Sequence, residues 1–313
     1  MIATARALLE DGTLAVEADE NVLPIAATWL PRVPTLPGDG AAARIHVRFG
    51  ESADPPPPAK PEIELRTVGG WVRRDERVLL HEPGARIGGE VDLAAKSAEI
   101  WVRPGETAQS IELEVAATLT IASALLLTRL GRALVHAAAV VPPGGGGAWL
   151  LAGGTFSGKT TTCLTLVRAG WAWLADDAVI LAPGDGGAIH VEGWPRRFNL
   201  DHGYAAGESA GVRSRVEPEA AIAARWRRSA PLAGLLFPRV EADQPTTLEP
   251  VHPAGALSLL LRHSPWILAD AAGAPSVLAL LQRAAQHPAH GLRLGRDSYC
   301  DASALQFVPW ATM

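Results

Sequence analysis

Residues 153–160 read GGTFSGKT, and this stretch restricts the fold of the 313-residue chain more than any other. The phosphate-loop pattern GxxxxGK[ST] is filled without a mismatch by Gly153, Gly158, Lys159 and Thr160. Such a loop has to join a buried strand to the first turn of a helix. The apolar run AWLLA at 148–152 precedes it, and KTTTCLTLVRA at 159–169 has the length of a helix. We therefore predict strand, loop and helix in this order. The alternative is a glycine-rich turn that merely caps a helix.

The chemistry of this loop follows from its place at a helix N-terminus, where backbone N–H groups and the positive end of the dipole bind phosphate oxygens. We expect Lys159 to reach the terminal phosphates of a nucleoside triphosphate and the Thr160 hydroxyl to ligate Mg²⁺. The residues predicted to hold the nucleotide are Gly153, Gly154, Thr155, Phe156, Ser157, Gly158, Lys159, Thr160 and Thr161.

A second apolar segment, residues 171–175, ends in Asp176 and Asp177. If this segment is a strand of the same sheet, its carboxyl end faces the phosphates, and two adjacent acids can divide the roles of metal ligand and base. Neighbouring side chains on a regular strand point to opposite faces, so only a turn lets both acids reach one site. The alternative is a turn with two solvated aspartates.

Three further residues are weaker candidates. His136 lies in the apolar segment LVHAAAVV at 134–141, where a lone histidine is usually a hydrogen-bonded core residue. Arg196 and Arg197 are candidates to neutralise a transferring phosphoryl group, because guanidinium groups bind phosphate in a bidentate way. A solvated arginine pair is the alternative.

Composition excludes several classes of protein. A net charge of -5 and the absence of any Lys/Arg run argue against a nucleic-acid binder. Cys163 and Cys300 form no metal-binding spacing, and only two cysteines in a chain of this length favour a reducing, cytoplasmic setting over a disulfide framework. The start has no basic segment followed by a long apolar core, so no secretory signal is expected. The most apolar stretch, 115–127, is too short to cross a bilayer and predicts a buried helix and no membrane association.

Turn-forming residues and apolar patterns divide the chain into two predicted domains, a β-rich module at 1–108 and a mixed α/β domain at 109–313. Strand candidates in the first are 44–49, 62–68, 77–81 and 98–103. The second is expected to begin with a long helix at 109–130 and a strand at 134–141 that pairs with 148–152. Later strands are predicted at 171–175, 178–181, 188–192, 231–240, 246–251 and 291–296, and later helices at 254–262 and 276–286.

The segments LVHAAAVV (134–141), GGTFSGKTT (153–161) and GWAWLADDAVIL (170–181) together resemble the catalytic domain of HPr kinase/phosphorylase and related HprK-like kinases. Some of these relatives are encoded beside peptide-modification genes, including the kinases of lasso-peptide maturation. ALSLLLRHSP (256–265) and GLRLGRD (291–297) look like later segments of the same kinases. The resemblance covers roughly residues 110–300.

This resemblance implies a P-loop nucleotide-binding domain of the phosphoenolpyruvate-carboxykinase type, ATP and Mg²⁺ as cofactors, and phosphorylation of a serine hydroxyl on a peptide or protein. It implies that His136 supports the acidic pair, that Asp176 binds the metal and that Asp177 is the base. The chain departs from the family at a glutamate signature ending in RGLG, for which it offers only Glu192. HPr as substrate and the reverse phosphorolysis are therefore not predicted.

The sequence thus predicts an ATP- and Mg²⁺-dependent kinase of a peptide or protein hydroxyl, with the β-rich module helping to recognise the acceptor. The alternative is a non-catalytic nucleotide-binding accessory protein of a biosynthetic complex. A homo-oligomer and a preference for ATP or GTP are compatible with both hypotheses. Labelled ATP separates the two, since only a kinase labels an acceptor hydroxyl.

Overall fold

A computed structural model of the chain describes residues 2–7, 14–26, 36–37, 41–50, 64–66, 70–80, 86–194, 198–201, 213–216, 220–298 and 305. The chain forms two compact units, Met1–Gly131 with Trp266–Pro275, and Arg132–Pro265 with Ser276–Met313. These units are defined by packing alone, and the functional domains at 1–108 and 109–313 stay a prediction.

The first unit is built on a sheet whose strands, within the described residues, are β1 (Ile2–Ala7), β2 (Leu14–Asp19), β3 (Leu36–Pro37), β4 (Ala43–Phe49), β5 (Glu64–Arg66), β6 (Gly70–Arg74), β7 (Arg77–Leu80), β8 (Ile87–Asp92) and β9 (Ser97–Val102). Their order is β3-β1-β2-β4-β9-β8-β7-β6-β5. β2, β4 and β9 are parallel, and the other pairings are antiparallel. Each of the four predicted strands of this region overlaps one of these strands.

Two helices complete this unit, α1 (Leu23–Ala26) and α2 (Glu112–Arg129). The apolar stretch predicted to be a buried helix lies within α2, which buries Val115, Leu119 and Leu126 and packs against β8 and β9. No helix in the described part of the chain is long and apolar enough to cross a membrane.

The second unit has strands β10 (Ala133–Val135), β11 (Ala137–Val141), β12 (Ala148–Ala152), β13 (Ala172–Ala175), β14 (Val179–Pro183), β15 (Ile189–Gly193), β16 (Phe198–Asp201), β17 (Arg213–Val216), β18 (Ser229–Val240), β19 (Thr247–Pro250) and β20 (Ala289–Leu294). The further helices within the described residues are α3 (Lys159–Arg168), α4 (Ala220–Ala223), α5 (Pro253–Arg262) and α6 (Ala274–Ala284), with 3₁₀ turns at Asp185–Gly187, Pro265–Ala269 and Arg296–Ser298. With two mixed sheets and few helices in the described residues, the mixed α/β class is confirmed.

The strand order of this unit brings two chain segments to one edge of the sheet. β11 lies between β12 and β13 and is antiparallel to both, so β12 and β13 run in the same direction. On the other side, β12 is parallel to β18, and β18 is parallel to β20. Because β12 and β13 end at the same edge, the loop after Ala152 and the acids after Ala175 are brought together, with β11 intervening between their strands.

The single strand predicted at 134–141 is wrong, because the chain changes partners at His136. β10 pairs with β14, whereas β11 pairs with β12 and β13. The N–H of His136 leaves both ladders and donates to the carbonyl oxygen of His263 over 2.9 Å. His136 therefore sits at the corner where one set of strands gives way to the next.

Helix α3 is held on the sheet by an apolar face that includes Cys163, Leu166 and Val167, all buried. Gly170 follows the helix with φ +108, a conformation that glycine adopts without strain. Burial, with the Asp176 charge adding to it, raises the pKa of the Cys163 thiol well above its usual value. Cys163 is thus a packing residue.

The buried ion pair of the first unit gives a test of its packing. Arg129 binds both carboxylate oxygens of fully buried Asp270 at 2.9 and 2.8 Å, and it also contacts Glu76. We expect Arg129→Ala to lower the free energy of unfolding by about 3 kcal/mol, because it leaves a buried carboxylate without its charge partner. Urea denaturation measures this loss.

The matched control is Arg77→Ala, which removes an exposed arginine that pairs with Glu90 at 2.8 Å on the same sheet. An exposed pair contributes about 0–1 kcal/mol, so this variant should stay close to wild type. Equal losses for the two variants would contradict the assignment of a buried, stabilising pair.

Candidate functional site

The loop between β12 and α3 needs glycine at both ends of the motif. Gly158 has φ +95, and a Cβ on it would lie 2.5 Å from Leu294 Cδ1. A Cβ on Gly153 would lie 2.4 Å from Ser157 Oγ. Backbone conformation and packing therefore explain both glycines without reference to a ligand.

The start of α3 has the arrangement that binds phosphates in other proteins. Gly158 is the N-cap residue and offers no side chain to the first turn. The first intrahelical bond runs from Thr162 N–H to the Gly158 carbonyl at 2.9 Å. The amides that precede Thr162 have no acceptor within the helix itself, which is the usual reason for anion binding at such an end.

Lys159 turns back over this loop and is only 7% exposed. Its Nζ donates to the carbonyl oxygens of Gly153 at 2.7 Å and Gly154 at 2.8 Å, and it lies 3.1 Å from His136 Nε2. An ammonium group can only donate, so Nε2 of His136 is the acceptor in this contact. The imidazole hydrogen of a neutral His136 is then on Nδ1.

The other side of the His136 ring meets the second acid. Nδ1 lies 3.0 Å from the Asp177 carbonyl oxygen and 3.2 Å from Asp177 Oδ1, and both side chains are about one third exposed. With the hydrogen on Nδ1, His136 donates to the Asp177 carbonyl oxygen, and the same nitrogen lies beside the Asp177 carboxylate. His136 thus links the loop lysine to a carboxylate that solvent and a substrate can reach.

The first acid has a different partner. Asp176 is 1% exposed, and its Oδ2 accepts a hydrogen bond from Thr160 Oγ1 at 3.0 Å. Residues 176–177 form a bend after β13, where the sequence argument required a turn, and the two side chains contact different groups of the same site. Hydroxyl and carboxylate oxygens are the ligand types that Mg²⁺ prefers.

Mg²⁺ bound with a nucleotide usually takes only one or two protein ligands, its other ligands being water and phosphate. Thr160 and Asp176 fit that requirement. No cluster of three or more His, Cys, Asp or Glu residues suited to a metal occurs in the described part of the chain.

The structure brings together five of the residues selected from the sequence, His136, Lys159, Thr160, Asp176 and Asp177. Glu192 is a different case: it is buried and pairs with Arg228 at 3.3 Å. Glu192 therefore has a structural partner in Arg228, the residue immediately before β18. Arg196 and Arg197 lie outside the described residues.

His263, at the C-terminal end of α5, is a neighbour of this site that the sequence did not indicate. Its carbonyl oxygen accepts the His136 N–H, and the two imidazole centroids are 6.4 Å apart. The sequence predicts a helix at 254–262 and a resemblance to kinases at 256–265, but no role for His263. No local pattern predicts this contact, because it depends on how α5 packs beside the β10–β11 corner.

No protein-family model matches this sequence, and no curated protein matches it.

The environment of His263 predicts a pH dependence of stability. Burial, with the neighbouring His136, Lys159 and Arg262 adding to it, lowers the pKa of His263 from 6.5 to about 4. Between these values the unfolded chain binds a proton that the folded chain does not, so stability present above pH 6.5 is lost as the pH falls towards 4. We expect His263→Asn to show a smaller loss of stability than wild type between pH 7 and 5.

Denaturant midpoints of both proteins at pH 8, 7, 6 and 5 measure this difference. The values at pH 8 and 7 serve as the control, because His263 is then largely neutral in both the folded and the unfolded chain and the offset between the proteins should be nearly constant. Parallel curves down to pH 5 would contradict the lowered pKa.

Proposed function

We propose that this protein is an ATP- and Mg²⁺-dependent kinase that transfers the γ-phosphoryl group to a hydroxyl, with serine favoured, of a peptide or protein. The observation that carries the proposal is the chain of contacts from Lys159 through His136 to Asp177. It joins the phosphate-binding lysine to an accessible carboxylate. A phosphate loop that only bound a nucleotide would not require an accessible carboxylate linked to its lysine.

The loop and its lysine would hold the triphosphate. The amides at the start of α3 and the Lys159 ammonium face anions, and Lys159 can exchange its contacts with Gly153 and Gly154 for phosphate oxygens. Thr160 and Asp176 would hold the metal, which supplies neutralisation of phosphate charge when it is bound. Most of the catalytic effect would then come from positioning and charge complementarity.

Asp177 would act on the acceptor. Its carboxylate takes the proton of the acceptor hydroxyl while the hydroxyl oxygen forms a bond to the γ-phosphorus and the bond from that phosphorus to the β–γ bridging oxygen breaks, releasing ADP. The Nδ1 atom of His136 lies 3.2 Å from Asp177 Oδ1 and also bonds the Asp177 carbonyl oxygen, and these contacts keep the carboxylate oriented. The more buried Asp176 is bonded to Thr160 and is less suited to this role.

The arrangement of the strands also favours a more specific fold than the mixed α/β class, and this fold suits the same proposal. A phosphate loop after one strand, acids after a strand of the same direction and a histidine just before the strand between them suit a P-loop domain of the phosphoenolpyruvate-carboxykinase type. Together with the resemblance of segments 134–141, 153–161 and 170–181, this favours an HprK-like kinase. The partnered Glu192 remains a departure from that family, and HPr is accordingly not proposed as the acceptor.

The role of Asp177 can be tested by Asp177→Asn. The amide cannot accept the hydroxyl proton as a carboxylate does, so we expect the transfer rate to fall by about 10²- to 10⁴-fold while ATP affinity is retained. The assay uses γ-labelled ATP with peptides encoded beside the gene, followed by mass spectrometry of the labelled residue.

Asp185→Asn is the matched control, because Asp185 is an exposed acid on a turn of the same unit and should not affect transfer. Transfer by Asp177→Asn at the wild-type rate would refute the assignment of the base. ATP binding by the wild type without labelling of any acceptor would favour an accessory nucleotide-binding protein instead.

A further inference from the structure

Phe156 lies at the outer turn of the phosphate loop in a backbone conformation that is unusual for its type. Its φ is +65, in the left-handed region, and its side chain is 61% exposed. A bulky side chain in this region is strained, and a ring that is mostly exposed offsets little of that strain by burial of apolar surface. Strain of this kind at a binding loop points to a function of the side chain.

The neighbouring residues show which side of the loop the ring occupies. Gly154 and Thr155 are exposed, and a Cβ on Gly154 would meet no atom within 4 Å. Ser157 turns the other way, against Gly153, where its hydroxyl is buried. The segment 154–156 thus forms an open outer rim, and Phe156 is its large apolar group.

The chemistry of a phenyl ring decides what it can bind beside a triphosphate. The phosphates gain from amides and from Lys159, but they gain nothing from an aromatic face, which carries negative partial charge. A nucleobase has a flat face of its own, and stacking on an aromatic side chain does not depend on which base is present.

We propose that Phe156 packs against the nucleoside part of the bound triphosphate and adds affinity that the phosphate contacts alone do not supply. This inference rests on the proposed function, because it needs a nucleoside triphosphate in the loop. It extends that function by naming a residue that recognises the base and sugar. The contact favours no particular base, so it should contribute equally to ATP and GTP binding.

The test compares MgATP, MgGTP and magnesium tripolyphosphate by calorimetric titration of wild type and Phe156→Gly. We expect the affinities for ATP and GTP to fall about tenfold, within the range of stacking contributions, and that for tripolyphosphate to be unchanged. The thermal midpoint of Phe156→Gly should be unchanged or raised, since glycine relieves the strain. Phe156→Trp keeps a flat aromatic face and should retain ATP affinity.

Three results would overturn the inference. Equal losses for ATP and tripolyphosphate would mean that Phe156 shapes the loop, and no loss for either would mean that the ring faces another group, such as the acceptor. A lowered thermal midpoint of Phe156→Gly would contradict the backbone strain inferred from the positive φ of Phe156. If wild type binds ATP and GTP, any of these results overturns the proposal for Phe156 alone; if wild type binds neither nucleotide, the proposed function fails with it.

Discussion

The position of the Lys159 ammonium is the constraint on which the rest of the site depends. A buried cation has to be met by acceptors, and here the Gly153 and Gly154 carbonyls and the His136 ring provide them. Because Lys159 can only donate, it determines which nitrogen of His136 carries the hydrogen. That nitrogen in turn faces Asp177. The loop and the acidic segment are therefore coupled through one imidazole.

The sheet makes this coupling possible. β11 begins immediately after His136 and separates β12 from β13, so the histidine lies between the ends of the two strands that carry the loop and the acids. The change of partners from β10 to β11 frees the His136 N–H from the ladder, and His263 accepts it. A continuous strand at 134–141 would have used that N–H in the ladder. The break between β10 and β11, which the predicted continuous strand lacks, is therefore what positions His136.

Local patterns were enough to predict the strand at 148–152, the glycine-rich loop and the helix after it, because strand length, glycine position and helix length are all encoded within twenty or so residues. The need for a turn at Asp176 and Asp177 followed from strand geometry. Two features were beyond such patterns: the corner at His136 and the contact with His263. Both depend on pairing between segments that are far apart in the sequence.

The central claim is that the loop at 153–160 binds a nucleoside triphosphate whose Mg²⁺ is met by Thr160 and Asp176. Isothermal titration calorimetry of the wild-type protein with ATP, with Mg²⁺ and with a chelator in its place, tests this claim most directly. We expect saturable binding of one ATP per chain, with an affinity that is markedly weaker without Mg²⁺. Absence of binding under both conditions, or binding that is indifferent to Mg²⁺, would contradict it.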